Sequence, residues 1–322
     1  MSSERDVLQR LMVGPVSGDV LAQEAGLTRA AVWKRIEALR EAGVEIDAQP
    51  GRGYRLRHVP ELLDSAAMLE TMPAHVRAGI ASLELAWSLD STNSELLRRD
   101  TPQHGLAVLL AERQTGGRGR RGKRWASPLA AHLYLSVSRR FSGGLARLGG
   151  LSLVAGVAAA EALHVCGYHG VRLKWPNDLL LQGRKLGGLL VEGGGEHAGP
   201  VRAVIGIGLN IRMPESAAAA IDQPWIDLQQ VSANTPSRNH IAAALLSQLV
   251  STLAEFDREG LAPFRARYAA LDALAGQQVA VHLGEETLEG TALGLAEDGA
   301  LRVCISGNER LFHAGEVSVR AQ

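Results

Sequence analysis

Apolar residues in the first sixty positions recur at helical spacing, and short polar breaks separate the apolar stretches. The first predicted helix has its apolar positions at Val7, Leu8, Leu11 and Met12. Ser17 and Thr28 are suited to cap the next two helices, and Gly26 suits a left-handed helix end between them. Alternation over residues 44–48, a Pro-Gly-Arg-Gly turn at residues 50–53 and a returning Tyr-Arg-Leu predict a β wing. The pattern predicts a winged helix-turn-helix.

The third predicted helix carries a polar and basic face opposite its apolar face, which consists of Val32, Ile36 and Leu39. From Arg29 to Arg57 there are seven basic and four acidic residues, a local excess of three on the elements that would face a duplex. We therefore predict DNA binding by this helix and the wing. The predicted contact residues are Thr28, Arg29, Ala30, Trp33, Lys34 and Arg52. The alternative is a three-helix module that makes only protein contacts.

A linker at about residues 58–65 leads into a longer region in which helical and strand-like patterns are mixed. Strand-like stretches occur at residues 106–111, 132–138, 171–174, 179–181, 189–192 and 201–211. The long apolar helices are predicted at residues 148–166 and 240–259. Four short strands between residues 277 and 313 predict a small SH3-like β-barrel. The predicted fold class is α+β, with a winged helix-turn-helix domain at 1–60, a mixed α/β domain at 66–270 and the barrel at 275–322.

Composition narrows the class of protein. At 322 residues the chain is long enough for two or three domains, and Lys+Arg and Asp+Glu balance at 34 each, so nucleic-acid binding requires a local patch. Cys166 and Cys304 lie far apart in apolar stretches, as reduced cytoplasmic thiols do. Charged residues near the N-terminus argue against a signal peptide, and the longest apolar stretch, residues 148–160, is too short for a bilayer. We expect a cytoplasmic protein that does not bind a membrane.

The densest cluster of positive charge is a glycine-rich segment at residues 112–125. Its cations are Arg113, Arg118, Arg120, Arg121, Lys123 and Arg124, and its glycines are Gly116, Gly117, Gly119 and Gly122. Glycine lets the backbone approach a ligand closely, and guanidinium groups donate two hydrogen bonds to carboxylate or phosphate oxygens. We predict a loop that closes around an anion. The alternative is a solvated basic loop or a nucleic-acid patch.

Two known phosphate motifs overlap this segment, and neither fits. The dinucleotide fingerprint requires a helix directly after its last glycine, whereas a turn containing Pro128 follows here. The P-loop requires Ser or Thr where this chain has Arg124. The loop must therefore bind its anion by a different arrangement.

Five motifs in one order resemble those of the biotin–protein ligases. They are Ser91-Thr-Asn93, Gly117-Arg-Gly-Arg-Arg-Gly with Trp125, Lys174-Trp-Pro-Asn-Asp178, Arg184-Lys-Leu-Gly-Gly188 and Gly206-Ile-Gly-Leu-Asn210. The resemblance spans nearly the whole chain and is greatest to the bifunctional form that is also the repressor of the biotin operon. It implies that the biotin carboxylate attacks the α-phosphorus of ATP, and that a carrier lysine then attacks biotinyl-5′-AMP.

The resemblance also implies roles for individual residues. The implied catalytic residues are Lys185, Arg118, Arg120 and Asp178. The implied biotin site is Ser91, Thr92, Asn93, Gln114, Arg118, Gly119, Arg120, Lys185, Gly188, Leu190 and Gly206. The implied ATP or adenylate site is Arg118, Arg120, Arg121, Lys174, Asn177, Asn210 and Trp225. Read from the residues alone, Lys185 is better explained as a surface lysine after a turn, and only the family match reverses this, while Asp178 could equally be a turn residue. His132 departs from the family, because bifunctional relatives commonly have Asn at this position.

The implied cofactors are ATP, biotin and Mg²⁺, the metal arriving with ATP and not at a dedicated protein site. The implied partners are the biotin carboxyl carrier protein of acetyl-CoA carboxylase, operator DNA and, once the adenylate is bound, a second copy of the chain. The activity is then that of a biotin–[acetyl-CoA-carboxylase] ligase that also represses biotin synthesis genes. Two alternatives remain open at this point: an acyl-adenylate ligase for lipoate or octanoate, and a biotin-sensing repressor without ligase activity.

Overall fold

The computed structural model describes residues 3–49, 51–142, 144, 148–195, 201–219, 221–234, 236–284, 286–314 and 318–321. Its N-terminal part consists of helices followed by an antiparallel hairpin. These elements are α1 (Glu4–Val13), α2 (Gly18–Ala25), α3 (Arg29–Glu41), β1 (Ile46–Gln49) and β2 (Gly53–Leu56). The predicted winged helix-turn-helix is confirmed.

Local signals in the sequence account for the boundaries of these helices. The Ser17 and Thr28 hydroxyls accept hydrogen bonds from backbone N–H groups in the first turns of α2 and α3. Gly26 ends α2 in the left-handed region, with φ at 64°. Pro50, the first residue of the predicted wing turn, lies outside the described residues, and Gly51 and Gly53 complete the turn with positive φ.

The central part is a mixed sheet with helices on both faces. Its strands are β3 (Ile80–Ala86), β4 (Leu106–Ala111), β5 (Leu133–Phe141), β6 (Arg172–Lys174), β7 (Asp178–Leu181), β8 (Arg184–Gly195) and β9 (Val201–Leu209). Within the described ranges these seven strands pair in the order β3-β4-β5-β9-β8-β7-β6. β3 pairs with β4 in parallel, and the other neighbours are antiparallel.

Helices cover the two faces of this sheet. They are α4 (Ser65–Thr71), α5 (Ala74–Ala78), α6 (Thr92–Arg98), α7 (Leu151–Val165), α8 (Glu215–Ala218), α9 (Arg238–Glu259) and α10 (Ala262–Leu271). The main core lies between the sheet, α7 and α9, and it includes Val108 and Leu110 of β4. The alternate residue of that strand, Leu109, packs with Leu96 of α6 on the opposite face, as the two-residue period of a strand requires.

The C-terminal part is an antiparallel sheet. Its strands are β10 (Gln278–Leu283), β11 (Glu286–Leu295), β12 (Leu301–Ile305), β13 (Asn308–Phe312) and β14 (Ser318–Ala321). Over the described residues, these five strands pair in the order β13-β12-β11-β10-β14. Within the described residues no pairing joins β13 to β14, so the antiparallel sheet is observed and the closure of the predicted barrel stays a prediction. The strand β14, which the sequence did not predict, pairs antiparallel with β10 at one edge of the sheet.

Candidate functional site

One cleft contains every residue predicted to bind biotin or nucleotide and every predicted catalytic residue. Its volume is about 1510 Å³, above the roughly 300–1,000 Å³ that is usual for small-molecule sites, as a site for two substrates requires. Arg40 to Gly43, at the end of α3, and Val319 of β14 also line it. The winged helix and the C-terminal sheet therefore both reach the cleft.

The floor of the cleft is formed by glycines of β8 and β9. Gly188 and Gly208 face each other across these two strands. A Cβ on Gly208 would lie 2.6 Å from Cε2 of Trp125, and one on Gly188 would lie 3.6 Å from its Cζ3. The indole can pack against the strands because Gly208 has no side chain, whereas a Cβ on Gly188 would only touch the ring. Trp125 Nε1 is buried against Gly208 and has no hydrogen-bond acceptor among the described residues.

A hydrogen-bonded polar cluster closes one end of the cleft. The backbone N–H and Oγ1 of Thr92 lie 2.9 and 3.1 Å from Oε1 of Gln114. The Ser136 hydroxyl lies 2.7 Å from Thr92 Oγ1 and 2.6 Å from Asn93 Oδ1. Asn93 Nδ2 donates to the Leu190 carbonyl and to Glu192. The Asn93 amide is thus fully engaged by the protein, and Gln114 and Ser91, which line the same cleft, also have protein partners in Thr92, Ser127 and the Ser94 N–H.

The basic loop is a short hairpin that lies over the cleft. Gly119 N–H donates to the Lys123 carbonyl over 2.7 Å, and Trp125 N–H donates to Gly117 over 2.9 Å. The tip is a 3-10 turn in which Arg121 has a φ of 56°. Arg120 reaches from this tip to Asn177, whose Oδ1 lies 3.3 Å from its guanidinium. Burial lowers the pKa of Arg120, and the nearby Asp178 carboxylate opposes that effect.

Arg118, at the base of the loop, contacts a residue that sequence reasoning did not assign to the site. Its guanidinium forms a hydrogen-bonded ion pair with Glu192, at 3.0 and 3.2 Å to the two carboxylate oxygens, and also contacts Ser94. The available signal was a single carboxylate after three apolar residues, at the end of the strand predicted over residues 189–192. In this conformation Arg118 is therefore paired with protein, while Arg120 faces the middle of the cleft.

Lys185 and Asp178 form an ion pair inside the cleft, with Nζ 2.7 Å from Oδ1 and both side chains less than 20% exposed. The pair follows from the β7–β8 hairpin, because Asp178 opens β7 and Lys185 lies near the start of β8. The Lys185 ammonium also lies 5.8 Å from the Trp125 ring centroid. A charge at this position can stabilise an anion that replaces Asp178 as its partner.

The segment containing Trp225 runs beside Lys185. Lys185 N–H donates to the Pro224 carbonyl, and the N–H of Ile226 donates to the Lys185 carbonyl, each over 3.0 Å. Asn210 Nδ2 donates to the Ile226 carbonyl and so holds the same segment. The predicted adenylate residues Trp225 and Asn210 are thereby brought next to the lysine. Lys174 pairs with Asp178 in the β6–β7 ladder and lines the same cleft.

His132 is fully buried just before β5. Its Nδ1 accepts a hydrogen bond from the Ile211 N–H over 3.1 Å, and its Nε2 lies 3.4 Å from Met213 Sδ. Burial, assisted by the charge of Arg238, lowers the pKa of His132 to about 3. The imidazole is therefore neutral, with its proton on Nε2, and it supports the turn that follows Asn210.

The segment after Trp125 joins the cleft to the winged helix. Leu129 N–H donates to the carbonyl of Ala42, at the end of α3, over 2.7 Å, and the Leu129 side chain is buried in the winged-helix core. Gly43 makes room for this contact, since a Cβ there would lie 2.7 Å from Pro128 Cβ. Arg212 adds an ion pair to Glu45 across the same boundary.

The predicted DNA-contact residues lie outside the cleft, and all six are exposed. Thr28 caps α3, and Arg29 is ion-paired with Asp19 at 3.1 Å. Trp33 is 55% exposed on the outer face of α3.

Two observations bear on metals and membranes. In the part of the chain that the structure describes, there is no group of three or more His, Cys, Asp or Glu side chains that could hold a metal ion. No helix within the described ranges has both the length and the apolar character needed to cross a bilayer.

Family models match the chain in three places. Residues 4–55 match an HTH domain, residues 85–210 match the biotin/lipoate A/B protein ligase family, and residues 275–320 match the biotin protein ligase C terminal domain. The three matches fall on the winged helix, on the part of the central sheet that carries the cleft, and on the C-terminal sheet.

Individual proteins resemble the chain over most of their length. The bifunctional ligase/repressor BirA of Escherichia coli (strain K12) is 39% identical over 305 residues, which are 95% of this chain and 93% of that protein. The biotin–[acetyl-CoA-carboxylase] ligase of Mycobacterium tuberculosis is 33% identical over 74% of this chain and 90% of its own. The biotin protein ligase from Aquifex aeolicus, solved with biotin and ATP, superposes with a TM-score of 0.64 at 26% identity, covering 75% of this chain and all of that one.

Proposed function

The chain belongs to the biotin–protein ligases of the bifunctional ligase/repressor type, and from this premise we propose how its cleft works. The protein is an ATP-dependent biotin–protein ligase that forms biotinyl-5′-AMP, transfers biotin to a lysine of the biotin carboxyl carrier protein of acetyl-CoA carboxylase, and represses biotin synthesis genes. The observation that carries the mechanism is the Lys185–Asp178 pair beside the Trp125 indole on its glycine floor.

We assign biotin to the trench between the polar cluster and Lys185. Thr92 and Gln114 would hydrogen-bond the ureido group, and the fused rings would lie along Gly206 and Gly188. The tail carboxylate would then approach the Lys185 ammonium. Gln114 is itself held by Thr92 and by Ser127, so it is oriented before the ligand binds.

In the first step, an oxygen of the biotin carboxylate attacks the α-phosphorus of ATP, and the bond to pyrophosphate breaks. Negative charge accumulates on the phosphorus oxygens, where a fixed ammonium is most effective because it needs no reorganisation during the reaction. Lys185 supplies that charge when the substrate oxygens displace Asp178. Arg120, held near the cleft centre by Asn177, supports the phosphate oxygens, and Trp225 would stack on the adenine.

In the second step, the ε-amine of the carrier lysine attacks the carbonyl of biotinyl-5′-AMP. The new amide bond forms as the bond between carbonyl carbon and phosphate oxygen breaks, and AMP leaves with the electron pair. Asp178, released from Lys185 by the substrate, is positioned to accept the proton that the nitrogen of the attacking amine loses as the amide forms. Its place at the start of β7 keeps it within the same cleft.

We infer that Mg²⁺ enters with ATP. Mg²⁺ usually keeps several waters and is bound by substrate phosphates with one or two carboxylates, and Asp178 is the carboxylate of the cleft beside Lys185. When bound, the ion would neutralise part of the phosphate charge. Lys185, Arg120 and Asn177 would still hold the phosphates and the loop tip at the positions described above.

We further propose that the chain forms three domains, at residues 1–60, 66–270 and 275–322, the last with an SH3-like arrangement. Antiparallel strands of four to ten residues joined by short turns support the SH3-like part. The exposed Trp33, Lys34 and Arg52 would contact operator DNA.

A dimer formed on adenylate binding would read two half-sites, because one winged helix with a small excess of positive charge binds DNA weakly. Two unpaired cysteines, Cys166 and Cys304, support a cytoplasmic location.

The decisive experiment is transfer of radiolabelled biotin to a carrier domain with and without ATP, with pyrophosphate release measured in parallel. We expect transfer only with ATP and one pyrophosphate per biotin. Lipoate should not compete, and preferential lipoate transfer would instead assign the related acyl-adenylate activity. A repressor without ligase activity would bind biotin but release no pyrophosphate.

Sedimentation and operator titration at fixed salt, with and without the adenylate, test whether the adenylate promotes dimerisation and DNA binding.

A further inference from the structure

Glu192 lies where the trench meets the basic loop. In β8 it shares a face with Gly188 and Leu190, because alternate residues of a strand point the same way. Those two residues line the cleft, and Glu192 continues the row at its outer end. Its side chain reaches the loop from that position.

The carboxylate of Glu192 connects two parts of the site. It accepts a hydrogen bond from Asn93 Nδ2 at 2.8 Å and receives Arg118 at 3.0 and 3.2 Å. Asn93 is buried and is held in turn by Ser136 and by the Leu190 carbonyl. Arg118 is therefore bound to a rigid part of the ligase core.

The positive side chains of the basic loop repel one another, so the loop needs a contact with the core to stay closed. It carries five cations between Arg118 and Arg124. Among the described residues, the Arg118–Glu192 contact is the only ion pair that these cations form. Within the described part of the chain, the side chains of the loop also reach two neutral groups: Arg118 contacts the Ser94 hydroxyl, and Arg120 donates to Asn177. Glu192 thus holds the base of the hairpin at one side of the trench, and Asn177 holds its tip at the other.

We propose that Glu192 is a positioning residue that fastens the basic loop over the cleft, and that it thereby sets how long biotinyl-5′-AMP stays bound and how selectively biotin reaches the carrier lysine. The inference rests on the proposed ligase function. Glu192 acts through Arg118 and does not itself contact the reacting atoms. Loss of the ion pair lets the loop open more often, and the adenylate then leaves to react with any exposed amine.

Glu192→Gln in the full-length protein tests the proposal, because glutamine can still accept the Asn93 hydrogen bond but lacks the charge that holds Arg118. The loop also supplies its own reporter: Arg121, Lys123 and Arg124 are exposed trypsin sites. We expect biotinyl-5′-AMP release, tryptic cleavage of the ligand-free loop and labelling of a non-carrier protein each to rise about fivefold, as loss of a partly exposed ion pair predicts. The melting temperature should stay within a few degrees.

A matched control is Glu309→Gln, which breaks an exposed ion pair with Arg302 of similar length, 2.8 Å, far from the cleft in β12 and β13. It should change none of the three rates. In the ligand-free trypsin assay, Arg118→Gln should raise cleavage at the loop tip as Glu192→Gln does, and the double variant should be no faster than either single one, because all three lose the Arg118–Glu192 ion pair.

Release and cleavage at the wild-type rates in Glu192→Gln would overturn the proposal, as would additive effects in the double variant. The trypsin measurement uses no ligand. A wild-type protein that makes no adenylate would therefore refute the ligase function, while the loop measurement would still test the role of Glu192.

Discussion

Substitution of Lys185 should affect the adenylation rate far more than the stability of the fold. Lys185→Gln replaces the ammonium by a neutral amide that can still donate a hydrogen bond to Asp178. In the folded protein this removes one ion pair, 2.7 Å long and with both side chains about one-fifth exposed. Pairs of this partly solvated kind contribute at most about 1 kcal/mol, which corresponds to roughly 2 °C in melting temperature for a chain of this size.

The expected loss in adenylation is much larger. In the transition state the same ammonium faces charge gathering on the α-phosphate, and removing one such preorganised group typically costs about 10²–10³ in rate, or roughly 3–4 kcal/mol. Single-turnover formation of biotinyl-5′-AMP from α-labelled ATP, at saturating biotin, measures this loss. Thermal unfolding followed by circular dichroism measures the stability of the same preparation.

The control is Lys34→Gln, at an exposed position of α3. It should adenylate biotin normally but bind operator DNA more weakly, with a salt slope reduced by about 1, as loss of one phosphate contact predicts. Adenylation by Lys185→Gln within threefold of the wild type would refute the assigned role. A melting temperature lowered by more than 10 °C would show that Lys185 is chiefly structural.

Three further substitutions test other parts of the molecule. Gly208→Ala places a Cβ 2.6 Å from the Trp125 indole, so the ring must move and biotin affinity should fall about tenfold in titration calorimetry; an unchanged affinity would contradict the packing. His132→Asn retains an acceptor but does not titrate. Because the pKa of His132 falls from 6.5 in the unfolded chain to about 3 when folded, protons favour the unfolded state below pH 6.5. Wild type should therefore lose about 2 kcal/mol more unfolding free energy than this variant between pH 7 and pH 5, and equal slopes in urea titrations would rule this out. Arg238→Gln leaves the Glu112 carboxylate without its 2.8 Å partner and should cost about 3–5 kcal/mol in the same titrations, whereas a loss below 1 kcal/mol would mean that water replaces the pair.

Local features of the chain could be predicted from the sequence because their causes are local. Ser17, Gly26 and Thr28 act on backbone groups within a few residues, so the helix boundaries they predict agree with the structure. The order of the five motifs likewise indicated the family before any contact was known. The strand predicted from residue 132 begins one residue later, because His132 turns into the core to hold Ile211.

Contacts between distant residues were decided only by the tertiary structure. Glu192 meets Arg118 across 74 positions of the chain, and Leu129 enters the core of the winged helix. Periodicity shows which residues share a face of one strand, but it does not show which loop will lie over that face. The pairing of β8 with β9 places Gly188 opposite Gly208 and so creates the floor on which Trp125 rests. The residue types of the site were therefore readable from the sequence, while their partners follow from strand register and sheet order, which are properties of the whole fold.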